Sequence, residues 1–346
     1  MKDFIIIGAG QAGLSIAYYL KKQKANYLIV DANSETGAPW LKRWDSLKLF
    51  TPSEFNNLPG MKFPHQKGHY ANKHEVANYL KAYVKKFDIP IEFNQRIDHL
   101  KKENGVFTLK SDTKEFITKN VIIATGPFHT PFTPKCHKNI SSDVLQMHSE
   151  HYKSPNQLQD GDTLVVGAGD SGVQILDEIS NTNRKVYFSG NTNINAIPQE
   201  FLGKTLWWWF SKIGFLSANK YTWIGKKLSK GVQPVIGTDV TKLFAKQNVT
   251  CVGRTLDATS NTIVFEKQKV NTIKNIIWAT GFKPNFKWIN GVELDEQGYP
   301  KNYRGVSDLE GLYFIGLPWL YTRGSATLGG VKKDAKYLST YIEHKT

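Results

Sequence analysis

Residues 4–13, FIIIGAGQAG, and residues 163–172, TLVVGAGDSG, are two versions of one pattern. In each, a short apolar run typical of a buried parallel strand leads into three glycines spaced as GxGxxG, and residues with helical periodicity follow. Glycines at these positions permit a tight turn, close approach of a pyrophosphate and close packing of helix on strand, while the helix N-terminus offers N–H groups to phosphate. Each stretch therefore predicts a dinucleotide-binding unit.

The first glycine loop consists of Gly8, Gly10, Gln11, Ala12 and Gly13. An apolar run over residues 27–30 predicts the second strand of this unit, and Asp31 stands at its end, 23 residues after Gly8. A carboxylate at that point of a dinucleotide-binding unit accepts hydrogen bonds from ribose hydroxyls. Because strand, helix and carboxylate supply the context that a lone GxGxxG lacks, we expect this loop to bind a dinucleotide.

The second glycine loop consists of Gly167, Gly169, Asp170, Ser171 and Gly172. The apolar strand that follows it ends at Ser189, Gly190 and Asn191, so no carboxylate enforces an unphosphorylated ribose. No arginine stands at this strand end either, although a dedicated site for a 2′-phosphate would usually contain one. Arg184 and Lys185 precede the strand. The choice between NADH and NADPH stays open, and the residues favour tolerance of both.

The chain also repeats on a larger scale. Each glycine loop is followed, after β-rich hairpin-like sequence, by an apolar strand and an ATG turn that contains Thr125 and Gly126 in the first half and Gly281 in the second. Two such units predict an α/β fold with two Rossmann-type dinucleotide-binding domains.

The second domain is predicted to be inserted in the first. Chain crossings at residues 126–127 and 281–284 favour a discontinuous first domain and an inserted second one. The predicted bounds are 1–153 and 285–346 for the first domain and 154–284 for the second. An apolar strand over residues 312–316, which contains Gly316, and a closing helix over residues 325–338 are expected to complete the first domain.

Composition narrows the function classes. The two cysteines, Cys136 and Cys251, support neither a disulfide framework nor a zinc site, so no metal site is predicted and a reducing cytoplasm is expected. The sequence enters its first strand at once and contains no run of eighteen apolar residues, so neither a signal peptide nor a transmembrane segment is expected. The net charge of +15 is spread over the chain without a nucleic-acid-binding motif, which argues against a nucleic-acid partner.

With its two glycine loops, its two ATG turns and a tail that reads YFIGLP and then ATLGGV, the chain resembles the bacterial flavin-containing monooxygenases. The resemblance spans essentially the whole chain and is strongest to the compact members described as accessory flavoproteins of metal and potassium transport. Residues 38–52 contain APW and then RWDSLKLFTP, which is similar to the family segment GGxW…RYDSLxLxTP.

The resemblance implies roles for particular residues. FAD would bind the first glycine loop and NADPH or NADH the second. Phe50 would lie near the isoalloxazine on the substrate side, Ile97 would lie against the adenine, and the closing helix would point its N-terminus at the flavin. The remaining implied FAD contacts are Trp40, Asp45, Ser46, Leu47, Thr125, Gly126 and Gly316.

The family fingerprint F-x-G-x-x-x-H-x-x-x-(W/Y) is kept only in its last two fixed positions, His148 and Tyr152. Ser142 and Val144 replace its Phe and Gly, which argues against the Baeyer–Villiger branch. A lone histidine between domains is more often a hydrogen-bonded linker than a catalyst, so we favour that role for His148. No catalytic side chain is predicted beyond these substrate-side and linker candidates, and Arg43 and Arg323 are the arginines considered for charge stabilisation.

The activity that the resemblance implies is an NAD(P)H-dependent FAD monooxygenase. Reduced flavin would form a C4a-(hydro)peroxyflavin with O₂ and oxygenate an apolar soft nucleophile, such as a sulfide or amine, or a ketone. Two alternatives stay open: an NAD(P)H-dependent flavin reductase or oxidase, and an accessory flavoprotein of a cation transporter. A disulfide reductase is excluded because the sequence has no CxxC or CxxxxC pair.

Residues 201–231 are rich in tryptophan and lysine and fit none of these elements. Core packing or a lid over an apolar pocket is the favoured interpretation, and contact with a membrane surface or a partner is the alternative. A homodimer is expected from the general frequency of symmetric dimers.

Overall fold

Two sheets lie at the centre of the computed structural model, which describes residues 1–231 and 233–345. The first has seven strands. In spatial order they are Ile91–Glu92, Tyr27–Val30, Lys2–Ile7, Glu115–Ile123, Val106–Ser111 and Ile97–Glu103, with Leu312–Phe314 beside Glu115–Ile123. The strands around Lys2–Ile7 are parallel, as their buried apolar runs predict. The start of Glu115–Ile123 continues the sheet as an antiparallel hairpin.

The second sheet has five strands, all parallel. In spatial order they are Leu145–His148, Ile273–Trp278, Asp162–Val166, Val186–Ser189 and Val249–Gly253. Asp162–Val166, which precedes the second glycine loop, has the same two kinds of neighbour as Lys2–Ile7. On one side lies the strand that follows the glycine-loop helix, and on the other lies the strand that precedes the ATG turn. The repeat seen in the sequence is thus also a repeat of strand order.

The helices pack on these sheets or between them. The α-helices are Gln11–Lys22, Ala38–Leu41, Lys73–Phe87, Asp170–Ser180, Leu206–Lys212, Trp223–Lys230, Val240–Phe244 and Lys332–Glu343. Short 3₁₀ helices lie at Ser53–Phe55, Lys135–Asn139, Pro155–Gln157, Phe215–Ser217 and Arg323–Ala326. The remaining strands are Lys48–Pro52, Tyr70–Asn72, Thr130–Pro131, Ala196–Ile197, Glu200–Phe201, Lys204–Thr205, Val235–Ile236, Thr255–Thr259, Thr262–Phe265, Lys269–Val270 and Phe282–Lys283. Apolar clusters cover both faces of each sheet.

The two predicted chain crossings lie side by side. Thr130–Pro131 pairs with Phe282–Lys283 as a short antiparallel ribbon. One strand differs from the predicted organisation: Leu145–His148 precedes the predicted boundary at residue 153, yet it pairs with Ile273–Trp278 of the second sheet. Its sequence, LQMH, lacks the continuous apolar run that would have placed it in a buried parallel sheet.

The closing helix begins later than predicted, at Lys332 instead of residue 325. The helix begins later because two glycines just before it pack closely against the backbone of other residues. A Cβ at Gly329 would lie 1.7 Å from the carbonyl oxygen of Phe55, and one at Gly330 would lie 2.2 Å from that of Gly324. Residues 323–326 therefore form a 3₁₀ turn, and the helix predicted to point at the flavin is replaced there by this turn.

Replacing Gly13 by alanine is expected to destabilise the fold. Its Cβ would lie 1.9 Å from the carbonyl oxygen of Gly8, a contact that only a backbone shift can relieve. We expect the free energy of unfolding to fall by about 3 kcal/mol. Gly10→Ala is the matched control, because no atom lies within 4 Å of a Cβ at Gly10. Urea unfolding without added dinucleotide measures both, and equal loss in the two variants would contradict the packing argument.

Asp334 makes stability depend on pH. Its side chain lies in the helix Lys332–Glu343 and is 1% exposed. Burial raises its pKa to about 6, against the opposing effects of the Ser325 hydroxyl and the positive charges of Arg304 and Lys220. Because the folded protein holds this proton more tightly than the unfolded chain, the contribution of Asp334 to stability is fully present below the unfolded pKa of 3.8 and is lost as the pH rises through about 6.

Asp334→Asn should remove that loss. We expect the variant to exceed the unmodified protein in melting temperature by more at about pH 8 than at about pH 4.5. The difference in the free energy of unfolding between these two pH values is expected to be at most about 3 kcal/mol. Thermal unfolding followed by fluorescence measures the difference. Asp308→Asn is the control, since Asp308 is exposed and should show the same melting temperature as the parent at both pH values.

Candidate dinucleotide sites and the cleft between them

The first glycine loop is held by backbone contacts on both sides. The N–H of Gly8 donates to the carbonyl of Val30 at 2.8 Å, and the N–H of Ala124 donates to the carbonyl of Ile7 at 2.8 Å. A Cβ at Gly8 would lie 2.6 Å from the oxygen of Ala124. Position 8 therefore has room between the neighbouring strands only for glycine.

Open space lies over the same loop. A Cβ at Gly10 or at Gly126 would meet no atom within 4 Å, and no side chain caps the helix that starts at Gln11. The first-turn N–H groups and the positive end of the helix are thus free to receive an anion. These observations fit the close approach of a pyrophosphate, which is what the motif predicts.

Asp31 is 9% exposed and supports the loop directly. Its Oδ2 accepts the N–H of Ala9 at 2.6 Å, and its Oδ1 accepts the backbone and side-chain N–H groups of Asn33 at 2.7 and 2.9 Å. A carboxylate has about four acceptor sites, so capacity for ribose hydroxyls remains. Ile97 lies near this strand end, because the N–H of Gln95 donates to the carbonyl of Asp31 at 2.8 Å.

The RWDSLKLFTP segment reaches both halves of the molecule. Trp40 packs against apolar clusters of both sheets, and Asp45 forms an ion pair with Lys73 at 2.6 Å. Ser46 is exposed on the wall of an open cleft of about 910 Å³. Leu47 differs from the expectation: its buried side chain belongs to the cluster beneath the second sheet, so only its backbone remains available to FAD.

Phe50 lies under the tryptophan-rich segment. Its ring stacks on Trp207 with centroids 6.0 Å apart and an interplanar angle of 19°, and the Nε1–H of Trp207 donates to the carbonyl of Phe50 at 2.9 Å. The cluster contains, in addition, Phe55, Ile197, Leu206, Phe210, Leu216 and Ile236. The inner face of the segment thus forms an apolar cover over the predicted substrate side.

The outer face of the same segment is exposed. Phe201, Leu202, Ile213, Trp223 and Ile224 are between 55 and 77% exposed. Lysine side chains lie over two of the tryptophans, Trp208 and Trp223. Both sequence interpretations of residues 201–231 therefore keep structural support, one on each face.

The second glycine loop repeats the contacts of the first. The N–H of Gly167 donates to the carbonyl of Ser189 at 2.9 Å, and the N–H of Ala279 donates to that of Val166 at 2.8 Å. A Cβ at Gly169 or Gly281 would meet no atom within 4 Å, whereas one at Gly172 would lie 2.0 Å from the oxygen of Gly167. This loop also leaves open space in front of a helix without a side-chain cap.

The end of the neighbouring strand brings in a residue that the sequence did not indicate. Ser189 Oγ lies 2.7 Å from Thr255 Oγ1, and the N–H of Gly190 donates to the carbonyl of Gly253 at 3.1 Å. Arg254 follows directly and forms an ion pair with Glu266 at 2.9 Å. Its position depends on the pairing of Val186–Ser189 with Val249–Gly253, which a rule based on one strand end does not include.

Other polar residues around this strand make local contacts. Arg184 donates to the carbonyls of Gln159 and Leu158 at 2.6 and 3.1 Å, at the end of the strand opposite the glycine loop, and Lys185 directly precedes Val186–Ser189 there. The side chain of Asn191 accepts the N–H of Asn193 at 2.9 Å within its own loop.

The turn Arg323–Ala326 lies between the two loops. Gln11 Nε2 donates to the carbonyl of Ala326 at 3.4 Å. On the other side, burial raises the pKa of Asp170, an effect opposed by the N–H of Ile236 and by the positive charge of Arg323. Gly316 holds the tail in place, since a Cβ there would lie 2.7 Å from the Cβ of Ala12. The tail thus brings one positive charge to the junction of the two candidate nucleotide sites.

His148 and Tyr152 occupy structural positions. His148 is 5% exposed, its Nε2 lies 3.0 Å from the carbonyl of Gly281, and its Nδ1 accepts the N–H of Glu150 at 3.1 Å. Burial lowers the pKa of this imidazole, so it is neutral and holds the crossing at Gly281. Tyr152 is fully buried and donates to Glu178 Oε2 at 2.8 Å. Arg43 lies beside the same crossing, 5.7 Å from the ring of Phe282.

The cysteines lie apart. Cys136 and Cys251 are both free, and they pack into clusters on opposite faces of the second sheet. Burial raises the pKa of both thiols, which lowers the fraction of reactive thiolate. The two thiols are therefore not placed to form a redox-active dithiol that accepts electrons from a flavin.

A mixed sheet and a parallel sheet, each with an equivalent glycine cradle, form the α/β fold of an oxidoreductase with two candidate dinucleotide sites. Residues 5–201 match the family model described as pyridine nucleotide-disulphide oxidoreductase. The chain belongs to this family. In residues 1–231 and 233–345, no helix combines the length and the apolarity that crossing a bilayer requires.

Known proteins similar to this chain include monooxygenases. The uncharacterized oxidoreductase CzcO of Bacillus subtilis (strain 168) is 43% identical over 340 residues, 98% of each chain. The probable indole-3-pyruvate monooxygenase YUCCA7 of Arabidopsis thaliana is 25% identical over 90% of this chain and 82% of its own. The structure of a flavin-containing monooxygenase from Stenotrophomonas maltophilia superposes with a TM-score of 0.83 at 23% identity, covering 99% of this chain and 98% of that one.

Valine at Gly10 and at Gly169 should separate the two sites. Each side chain would extend into open space where a pyrophosphate is expected, so the fold is kept and one nucleotide is lost. We expect Gly10→Val to yield folded but colourless protein, and Gly169→Val to keep its flavin but lose reduction by NADPH or NADH. Absorption spectra and anaerobic reduction measure this. Loss of flavin from Gly169→Val alone would reverse the assignment of the loops.

Proposed function

We propose that the protein is an FAD-dependent monooxygenase that uses NADPH or NADH and O₂ to oxygenate a soft nucleophile, such as a sulfide or amine, or a ketone. In this proposal the two halves are Rossmann-type domains, with FAD on residues 1–153 and 285–346 and the nicotinamide cofactor on the inserted 154–284. The observation that carries it is the turn Arg323–Ala326, which contacts Gln11 of the first glycine loop and carries an arginine whose positive charge acts on Asp170 of the second.

Bound FAD would supply hydride acceptance and oxygen activation, while the chain would position the reactants and exclude water. Gly10 and Gly126 would admit the FAD pyrophosphate, and Gly169 and Gly281 that of the second cofactor. Arg323 would place its charge where the two cofactors meet, which favours anionic groups there.

The apolar cover indicates the class of substrate. Phe50, Phe55, Trp207, Phe210 and Leu216 pack into one apolar cluster at the predicted substrate side. Such a lining favours an apolar molecule with a polarisable acceptor atom over a charged one. A cover of this kind would also keep water from the reduced cofactor.

Arg254 supports a preference for NADPH. It stands at the end of the strand beside Ser189, where the ribose of the second cofactor would lie, and its guanidinium matches the geometry of a phosphate. A 2′-phosphate would have to compete with Glu266 for this side chain.

The cysteines bear on the reductase alternative. Because Cys136 and Cys251 pack on opposite sheet faces, a flavin reductase would have to pass electrons to an external acceptor.

An accessory flavoprotein of a cation transporter would use the exposed face of residues 201–231 for docking. The lysines and exposed aromatics of the segment also support contact of that face with an anionic membrane surface. A cytoplasmic location and a homodimer are further parts of the proposal.

Stopped-flow spectroscopy tests the activity. The purified protein is reduced anaerobically with NADPH or NADH and then mixed with oxygenated buffer. We expect a transient flavin spectrum distinct from the oxidised and reduced forms, with a longer lifetime when NADP⁺ is bound. Direct return to oxidised flavin with prompt peroxide release would instead establish an oxidase or reductase.

Trp207→Ala should shorten that transient and raise peroxide release per NADPH by about tenfold, because the apolar cover then admits water. Trp223→Ala is the matched control: this tryptophan belongs to the same segment but is 77% exposed on the outer face. Equal peroxide yields from the two variants would rule out a lid function for Trp207.

A further inference from the structure

Three side chains outside the glycine loops converge at one edge of the cleft. His65, His69 and Glu75 place their potential ligand atoms within 4.8 Å of one another. His69 Nε2 lies 3.1 and 3.0 Å from Oε1 and Oε2 of Glu75, and His65 Nε2 lies 3.3 Å from Oε1. Both imidazoles therefore address the same carboxylate.

We propose that this triad binds a divalent cation of the Zn²⁺ class. Two imidazoles and a carboxylate form a three-ligand set that leaves one coordination position open, and imidazole selects such ions over Mg²⁺ and Ca²⁺. Ligand atoms about 2.0 Å from a tetrahedral zinc lie about 3.3 Å from each other. The separations between the histidine nitrogens and the glutamate oxygens are already close to this value. The inference is independent of the oxygenation proposed above.

The local structure holds two of the three ligands. Glu75 is part of a capping box at the start of the helix Lys73–Phe87, where its Oε2 accepts the N–H of Asn72 at 2.8 Å. The carbonyl of His69 accepts both the N–H and the hydroxyl of Ser53, at 2.8 and 2.9 Å. His65 comes from the preceding loop. A bound metal ion would thus link the loop that contains His65 to the hydrogen-bonded residues His69 and Glu75.

Charge also favours a cation here. Within residues 1–231 and 233–345, the ion pairs of Glu75 involve only His65 and His69. Among these residues no lysine or arginine pairs with Glu75, although the chain contains 45 of them that could have neutralised its carboxylate. A bound divalent cation would take over that role.

The position suggests what binding would affect. His69 and Glu75 line the open cleft together with Ser46 and Lys48. The strand that follows His69, Tyr70–Asn72, pairs with Lys48–Pro52, which carries Phe50. A metal ion would therefore brace the strand beneath the apolar cover and leave its open position towards the cleft.

The sequence alone gave a weak signal for this site. His65 and His69 are spaced as HxxxH, but they lie in a loop, and Glu75 belongs to the next helix. The prediction of no metal site rested on the cysteines and did not consider a site built from histidine and glutamate.

Zinc titration calorimetry on the tag-free full-length protein tests the site. We expect one Zn²⁺ per chain, with affinity lowered by more than about tenfold in His65→Ala and Glu75→Gln. Glutamine is accepted in a capping box, so Glu75→Gln removes the charge and keeps the helix start. His74→Ala is the matched control, since His74 is exposed in the first turn of the same helix and should leave binding unchanged.

Cobalt substitution provides a second readout. Co²⁺ bound to the unmodified protein should give visible absorption bands of low-symmetry coordination that disappear in Glu75→Gln. The proposal is overturned if the unmodified protein binds no zinc at micromolar concentrations, or if Glu75→Gln binds it as tightly. Equal loss in His74→Ala would also overturn it. Because the titration does not involve turnover, its failure is distinguishable from failure of the proposed oxygenation.

Discussion

The fold depends on close contact between backbone and backbone at two equivalent points. At Gly8 and at Gly167 a glycine lies against the carbonyl of the alanine that ends the neighbouring strand, and a second glycine, five residues on, lies against the first. These contacts leave no room for a Cβ and fix each helix start relative to its sheet edge. The open space at Gly10 and Gly169 follows from them, because the loop is held from below and its upper side stays free.

Local and repetitive features of the fold could be predicted from the sequence. The strand Tyr27–Val30 has its predicted limits, and the strands before the glycine loops were placed to within two residues. Such elements are specified by continuous apolar runs and by glycine spacing, both of which are local. The crossings predicted at residues 126–127 and 281–284 lie near the paired strands Thr130–Pro131 and Phe282–Lys283, whereas the division into an outer and an inserted domain stays a prediction.

Features that depend on distant neighbours could not be predicted in this way. Arg254 reaches the second site through a strand that pairs with Val186–Ser189, and Leu47 turns into the core of the other sheet. The later start of the last helix depends on Gly329 packing against the carbonyl of Phe55, more than two hundred residues away. His148 is hydrogen-bonded to the carbonyl of Gly281, as its predicted linker role requires, and that role itself stays a prediction.

The ribbon of Thr130–Pro131 and Phe282–Lys283 has a consequence for how such chains diversify. The polypeptide passes between the two sheets at adjacent, hydrogen-bonded positions, so the two connections lie side by side. Recombination that exchanges residues between these strands would need no rerouting of the host backbone. Such an exchange would also carry the tryptophan-rich cover of Phe50 with it, because Trp207 lies between these two strands along the chain.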